Sequence, residues 1–317
     1  MNNQTLYTMK KPIHLPELPL DRWERSKITL HLILQILGKV RLSMTPRKNH
    51  WWYITEYIVP KGFSTSLIPL PDGIDAFEIV LNVHNHQLEI ITSRNQFKTI
   101  SIYDGLSIAD FYRKFSLSLE ELGIPLNIND KPFDLGITKR FHEIKEYHHY
   151  DPEYIKRFWR IMMWVDGVFK EFSGRFYGKT CPVHLYWHHM DLAVTRFSGK
   201  KAPPPDPAAR ISDKDAYTHE VISFGFWAGD EQVREPAFYA YAFPSPEGLA
   251  EKHLRPEGAF WVDNNGSPMA FYPYHQLIRE EDPRQKLLDF LESAYIAGAS
   301  LAGWDIEELK TVDLDKL

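Results

Sequence analysis

The side chains best suited to chemistry fall mainly in the second half of the chain, where His184, Asp191, Arg196, His219 and Glu220 sit in runs rich in β-branched and aromatic residues. An imidazole titrates near neutrality and a neighbouring carboxylate can fix its tautomer, so His184 or His219 with Glu220 would make an acid–base pair. Along a regular strand His184 and Arg196 share parity, which brings a guanidinium to the same face. Lys39 and Arg41 add cationic donors able to hold a carboxylate or phosphate. His50 and Asp191 extend the polar set, and Trp52, Trp187, Tyr186, Trp227, Tyr239 and Tyr241 could wall a pocket.

Other chemistries fail on spacing. The stretch Gly174-Arg175-Phe176-Tyr177-Gly178-Lys179-Thr180 has three residues between its glycines, where a phosphate loop needs four and a preceding strand. No Gly-x-Ser-x-Gly elbow presents a serine nucleophile. His184 and His188 would share a helix face, but their surroundings read as strand, where four residues span about 13 Å. A metal-dependent hydrolase would need His50, His184, His219 and Glu220 to assemble across the fold. The sequence names no metal and no cofactor.

These residues need elements to position them. Residues 21–42 form a nearly all-apolar helix with Asp21 as N-cap, broken by one polar stripe of Lys27, His31, Gln35 and Lys39 that meets water, a partner or a polar pocket. Strand-like runs at 51–59, 77–83 and 87–92 read as an antiparallel meander. Ser107 and Asp110 form a capping box for a helix that stops at Gly123. The order then repeats. Asp151-Pro152 opens a helix, strand-like runs follow at 183–197, 219–227, 237–243, 259–261 and 269–272, and Asp282-Pro283 opens the closing helix.

The two halves share a register. Thirteen residues separate His50 from Phe63 and His184 from Phe197, each followed by Ser, and Phe77-Glu78-Ile79-Val80 has its counterpart in His219-Glu220-Val221-Ile222. Order and spacing together predict an internal duplication. The expected fold class is α+β, with two similar helix, antiparallel sheet and helix repeats packed as one pseudo-twofold body. Residues 1–124 form the first repeat, 125–150 a connector, and 151–317 the second repeat with a proline-rich insertion at 200–214. Such a body would pair His50 with His184 and leave a cleft between repeats.

The stretches Gly38-Lys39-Val40-Arg41, Asn49-His50-Trp51-Trp52, Pro182-Val183-His184, Asp191-Leu192-Ala193-Val194-Thr195-Arg196-Phe197-Ser198-Gly199, His219-Glu220-Val221, Gly225-Phe226-Trp227 and Phe238-Tyr239-Ala240-Tyr241-Ala242 resemble a family catalogued only as a domain of unknown function. The resemblance covers nearly the whole chain and is most specific over 191–199. It implies no activity, cofactor or substrate. It marks Lys39, Arg41, His50, His184, Asp191, Arg196, His219 and Glu220 as positions of the family's pattern, from which the chain departs at His188-His189 and Cys181.

Composition bounds the rest. The chain has 317 residues, 44% of them apolar and 25% charged, enough to bury a substantial core. Its 37 basic and 42 acidic residues give a net charge of −5, which argues against a nucleic-acid footprint. A single cysteine, prolines at 12, 16 and 19 where a leader would be apolar, and no apolar run long enough for a bilayer point to a cytoplasmic protein with no membrane partner. The expected function is binding of a small polar or anionic metabolite in an aromatic-lined cleft between the repeats, with His184, His219 and Glu220 as candidates for acid–base catalysis. The alternatives are a non-catalytic protein-interaction module or homodimer, and the metal-dependent hydrolase.

Overall fold

Helix α1 (Leu20–Met44) starts one residue before the expected cap, with Asp21 in its first turn and Pro19 ahead of it. It is the axis of the molecule: every residue from Thr29 to Arg41 is buried. The computed structural model describes residues 14–312 and 315, so the reading of the first 13 residues as no signal peptide lies outside the described residues.

The first half continues through a short turn at Asn49–Trp51 into strands β1 (Tyr57–Val59), β2 (Gly62–Ser64), β3 (Ile68–Pro69), β4 (Ala76–Asn82), β5 (Gln87–Thr92) and β6 (Phe97–Ser101), then helix α2 (Ile108–Glu121). The strands form an antiparallel sheet in the order β1-β2-β4-β5-β6 with β3 on β4; the expected runs at 77–83 and 87–92 are β4 and β5, but of the run at 51–59 only Tyr57–Val59 is strand, and β2, β3 and β6 were not expected. The capping box of α2 closes as the sequence predicts: Ser107 Oγ accepts from the Asp110 amide at 3.1 Å and donates to its carboxylate at 2.8 Å.

The second half has helix α3 (Pro152–Gly174), strands β7 (His184–Tyr186) and β8 (Asp191–Lys201), short helix α4 (Ile211–Ala216), strands β9 (His219–Trp227), β10 (Ala237–Phe243), β11 (Phe260–Asn264) and β12 (Ser267–Pro273), and helices α5 (Tyr274–Leu277) and α6 (Pro283–Leu301). Its antiparallel sheet runs β11-β12-β10-β9-β8-β7. Asp151 caps α3 and Asp282 caps α6, each with proline in the first turn. The protein is therefore mixed α+β, with two similar antiparallel sheets. They are not identical, because the last hairpin of the second sheet places β12, not β11, beside β10. Among the described residues no helix is long and apolar enough to cross a membrane.

Two devices join the halves. Glu56 and Leu185 exchange backbone hydrogen bonds of 2.9 and 2.8 Å, so the β1 edge of one sheet meets the β7 edge of the other. The polar stripe of α1 supplies the second. Lys27 donates to the carbonyl of Gly229, His31 Nε2 lies 3.0 Å from the carbonyl of Trp187, and Gln35 trades hydrogen bonds with the backbone of Phe133, in the stretch between α2 and α3. Three of the four stripe residues thus meet main chain far along the sequence and fasten the helix in place. Trp187 lies across Gly38, where an added Cβ would sit 2.0 Å from its ring.

Candidate functional site

The second sheet has two unlike faces. Helices α3 and α6 cover one, with Phe172 against Phe224 at 4.7 Å between ring centroids and Gly298 against Ile222. Register assigns the other face. Tyr239 opposes Gly225 and Phe271, Tyr241 opposes Ser223, and across the next ladder Ser223 opposes Thr195 and Gly225 opposes Ala193. On the edge strand Tyr186 opposes Asp191 and His184 opposes Ala193. Side chains on alternate residues share a face, so His184, Tyr186, Asp191, Thr195, Ser223, Trp227, Tyr239 and Tyr241 form one surface.

That surface is a field of hydroxyl groups around one carboxylate. Tyr239 donates to Asp191 Oδ2 at 2.5 Å, the Tyr217 and Tyr241 hydroxyls are 3.1 Å apart, and Thr195 and Ser223 are joined at 3.0 Å. The rings of Tyr239 and Tyr241 stack at 6.1 Å, and Trp227 lies edge-on to Tyr239 at 5.6 Å. Gly225 makes this possible, since a Cβ there would sit 2.2 Å from Tyr239 Cζ. Burial pushes the Asp191 carboxyl up, opposed by His189 and the Tyr239 hydrogen bond. Burial also pushes the Tyr186, Tyr239 and Tyr241 hydroxyls well up, so they remain protonated donors. Tyr186, Tyr239 and Tyr241 are half-buried, so water reaches the surface.

The chain matches the model of a family of unknown function, DUF5996, over residues 15–311. It belongs to that family. No curated protein and no solved structure matches it. The stretches that carry the resemblance to a domain of unknown function supply most of this face: Asp191 and Thr195, Gly225 and Trp227, Tyr239 and Tyr241.

Four expectations are corrected by the geometry. Arg196 does not share a face with His184. The turn between β7 and β8 pairs His184 with Ala193, which reverses the parity and sends Arg196 to the helix side. There Arg196 donates to the carbonyl of Phe172 at 2.5 Å, stacks on the Phe172 ring at 3.5 Å and pairs with Glu292 at 3.6 Å; burial pushes it down to about 10. Glu220 also faces the helices, where it accepts from Ser198 at 2.7 Å and Trp304 at 3.0 Å, so neither His184 nor His219 has it as an acid–base partner. His50 and His184 are not equivalent: His50 occupies the Asn49–Trp51 turn at φ 58°, whereas His184 opens a strand. Among the described residues no group of three or more His, Cys, Asp and Glu is placed to hold a metal ion, so His50, His184, His219 and Glu220 do not assemble as ligands.

The remaining candidates divide into places. His50, His219 and Trp52 gather at the lower end of the face, with ring centroids of His50 at 5.7 Å from His219, 5.2 Å from Trp52 and 4.7 Å from Phe197. Lys39 and Trp187 meet at 5.7 Å beside α1. Arg41 is spent on backbone carbonyls of Tyr53 and Thr65. His184 is fully buried beside Tyr186, 4.7 Å between rings, with both nitrogens unpartnered among the described residues, and burial then Arg41 lower it to about 3. The junction between halves holds an open groove of about 400 Å³ beside Tyr57, Asp166, Lys170 and Val183, not the aromatic-lined cleft expected there. The sequence reading missed Tyr217, Lys179 and Glu56. Tyr217 lies just past the proline-rich insertion, where no strand period marks it, and Lys179 belongs to the stretch that fails as a phosphate loop.

Proposed function

We propose that the face of the second sheet away from α3 and α6 binds a small polar metabolite. The observation that carries this reading is the convergence of Tyr186, Tyr217, Tyr239 and Tyr241 with the buried carboxyl of Asp191 on that face. Phenol hydroxyls offer donors and acceptors on rigid rings, and Trp227 adds an apolar flank, the mixture that orients a hydroxylated or carbonyl-bearing solute.

Catalysis by His184 with Glu220 has no support in the geometry, so binding is the reading retained. A cytoplasmic setting is inferred from the lone, buried Cys181, which lacks an intrachain partner. The two halves read as copies of one ancestral unit, supported by a matched pair: Ser64 Oγ donates to Glu78 at 2.5 Å as Ser198 Oγ does to Glu220 at 2.7 Å.

Native mass spectrometry of the chain purified from cells, followed by metabolite-library thermal shift, tests the binding reading. A retained or stabilising polar ligand is expected for the parent and lost in Tyr239→Phe and Gly225→Ala. A ligand that both variants bind as tightly as the parent, or a parent that self-associates through this face without any ligand, overturns it.

A further inference from the structure

Lys179 ends in an unusual place. Its Nζ lies 2.7 Å from His50 Nε2, while His50 Nδ1 lies 3.2 Å from the carbonyl oxygen of Ala216. A carbonyl can only accept, so the proton of the neutral imidazole sits on Nδ1 and Nε2 turns its lone pair to the lysine. The ammonium thus donates to a base already aimed at its proton. The rings of Phe197 and Trp52 lie 4.7 and 5.3 Å from Nζ and keep water from that side. Lys48 sits 5.5 Å from the same Trp52 ring and brings a second positive charge; burial, then Lys48, lowers the Lys179 pKa. A lysine hydrogen-bonded to a base and set next to another cation is an arrangement that frees an amine for nucleophilic attack. The residue is nonetheless exposed, so a solute can reach it.

The charged groups around it also select a ligand. Lys48, Lys201, which opposes His219 on the neighbouring strand, and His219 itself surround the pair, and the nearby carboxylate, Asp215, is engaged by Arg47 at 2.8 Å.

We infer that Lys179 is a nucleophilic amine that condenses with a small aldehyde or ketone carrying an anionic group, with His50 as its proton relay. The ammonium passes one proton to His50 Nε2. The freed nitrogen pair bonds to the carbonyl carbon as the C=O π pair moves to oxygen, and proton transfers through the imidazole leave a neutral carbinolamine. Its hydroxyl departs as water while the nitrogen pair closes the C=N bond, and the second N–H proton completes that water. The balance is amine plus carbonyl giving imine plus water. No oxidant or reductant enters. Lys48 and Lys201 hold the anionic group.

The test is competitive reductive alkylation of the folded full chain with glyoxylate and cyanoborohydride, read by peptide mass mapping. Lys179 is expected to label on the order of tenfold faster than Lys61 and Lys170. His50→Gln is expected to bring Lys179 to the rate of those surface lysines and leave theirs unchanged. Propionaldehyde, which lacks the carboxylate, is expected to show a smaller preference for Lys179. Equal rates at the three lysines in the parent chain overturn the inference whether or not the His50 variant folds. Equal preference for the two aldehydes overturns the anionic part.

Discussion

Glu56 is fully buried, and among the described residues neither of its carboxylate oxygens has a hydrogen-bond partner. Burial pushes its pKa well up, opposed by Arg41. Its folded pKa therefore lies above the unfolded value, and the folded chain binds the extra proton between the two. The stability this proton contributes is complete below the ordinary glutamate pKa and is lost as pH rises through the folded one, with a slope of up to about 1.4 kcal/mol per pH unit. Glu56→Gln removes the titration, so the variant's stability relative to the parent should grow from about pH 4.5 to pH 8 in urea titrations. A difference that stays constant over that range would show that Glu56 is not held protonated. Gly225→Ala makes a second prediction at this scale. Its methyl group would displace the Tyr239 ring and break the hydrogen bond to Asp191, lowering stability by about 1–3 kcal/mol, measured by denaturant midpoint.

At the scale of elements, helices were the most legible part. Ser107, Asp151 and Asp282 cap their helices as the side chains dictate, the latter two with a proline following, because these are local bonds within a turn. The β4–β5 hairpin was legible for the same reason, its strands being consecutive neighbours, whereas β2 pairs with β4 past β3. Face assignment across a turn was not. Parity carried unbroken from His184 to Arg196 ignores the residues between β7 and β8, and only pairing with Ala193 reveals the reversal. The α1 stripe was seen, but its partners lie far along the chain at Phe133, Trp187 and Gly229. Gly38→Ala tests that packing. Alanine is worth about 1 kcal/mol over glycine in a helix interior, yet here its Cβ would overlap Trp187, so net destabilisation of about 1–2 kcal/mol is expected by thermal and urea unfolding. A more stable variant would refute the close approach.

The whole molecule behaves as one unit if α1 is its shared core. Trp23 of that helix packs on Phe158 of α3, ring centroids 5.2 Å apart, while the Glu56–Leu185 bridge ties sheet to sheet. Far-ultraviolet dichroism and tryptophan fluorescence should therefore report coincident unfolding midpoints, and a chain ending at residue 150 should fail to give a cooperative transition. Two separated transitions would instead divide the molecule along the boundaries read from the sequence at 124 and 150. The candidate site was legible as a set of residue types but not as a set of neighbours: Asp191, Trp227, Tyr239 and Tyr241 came together, whereas Arg196 and Glu220 were drawn to the helices by Phe172, Glu292 and Trp304.

The clasp between Lys27 and Gly229 spans 202 residues. Synthesis at about 5–20 residues per second separates those two positions by roughly 10–40 s. Through that interval a helix whose residues 29–41 are all buried in the folded protein has left the ribosome before all of its receiving surface exists. Ribosome-bound chains stalled before residue 229 should consequently engage holdase chaperones and yield to protease within residues 20–44, and release from both should coincide with translation of the second sheet.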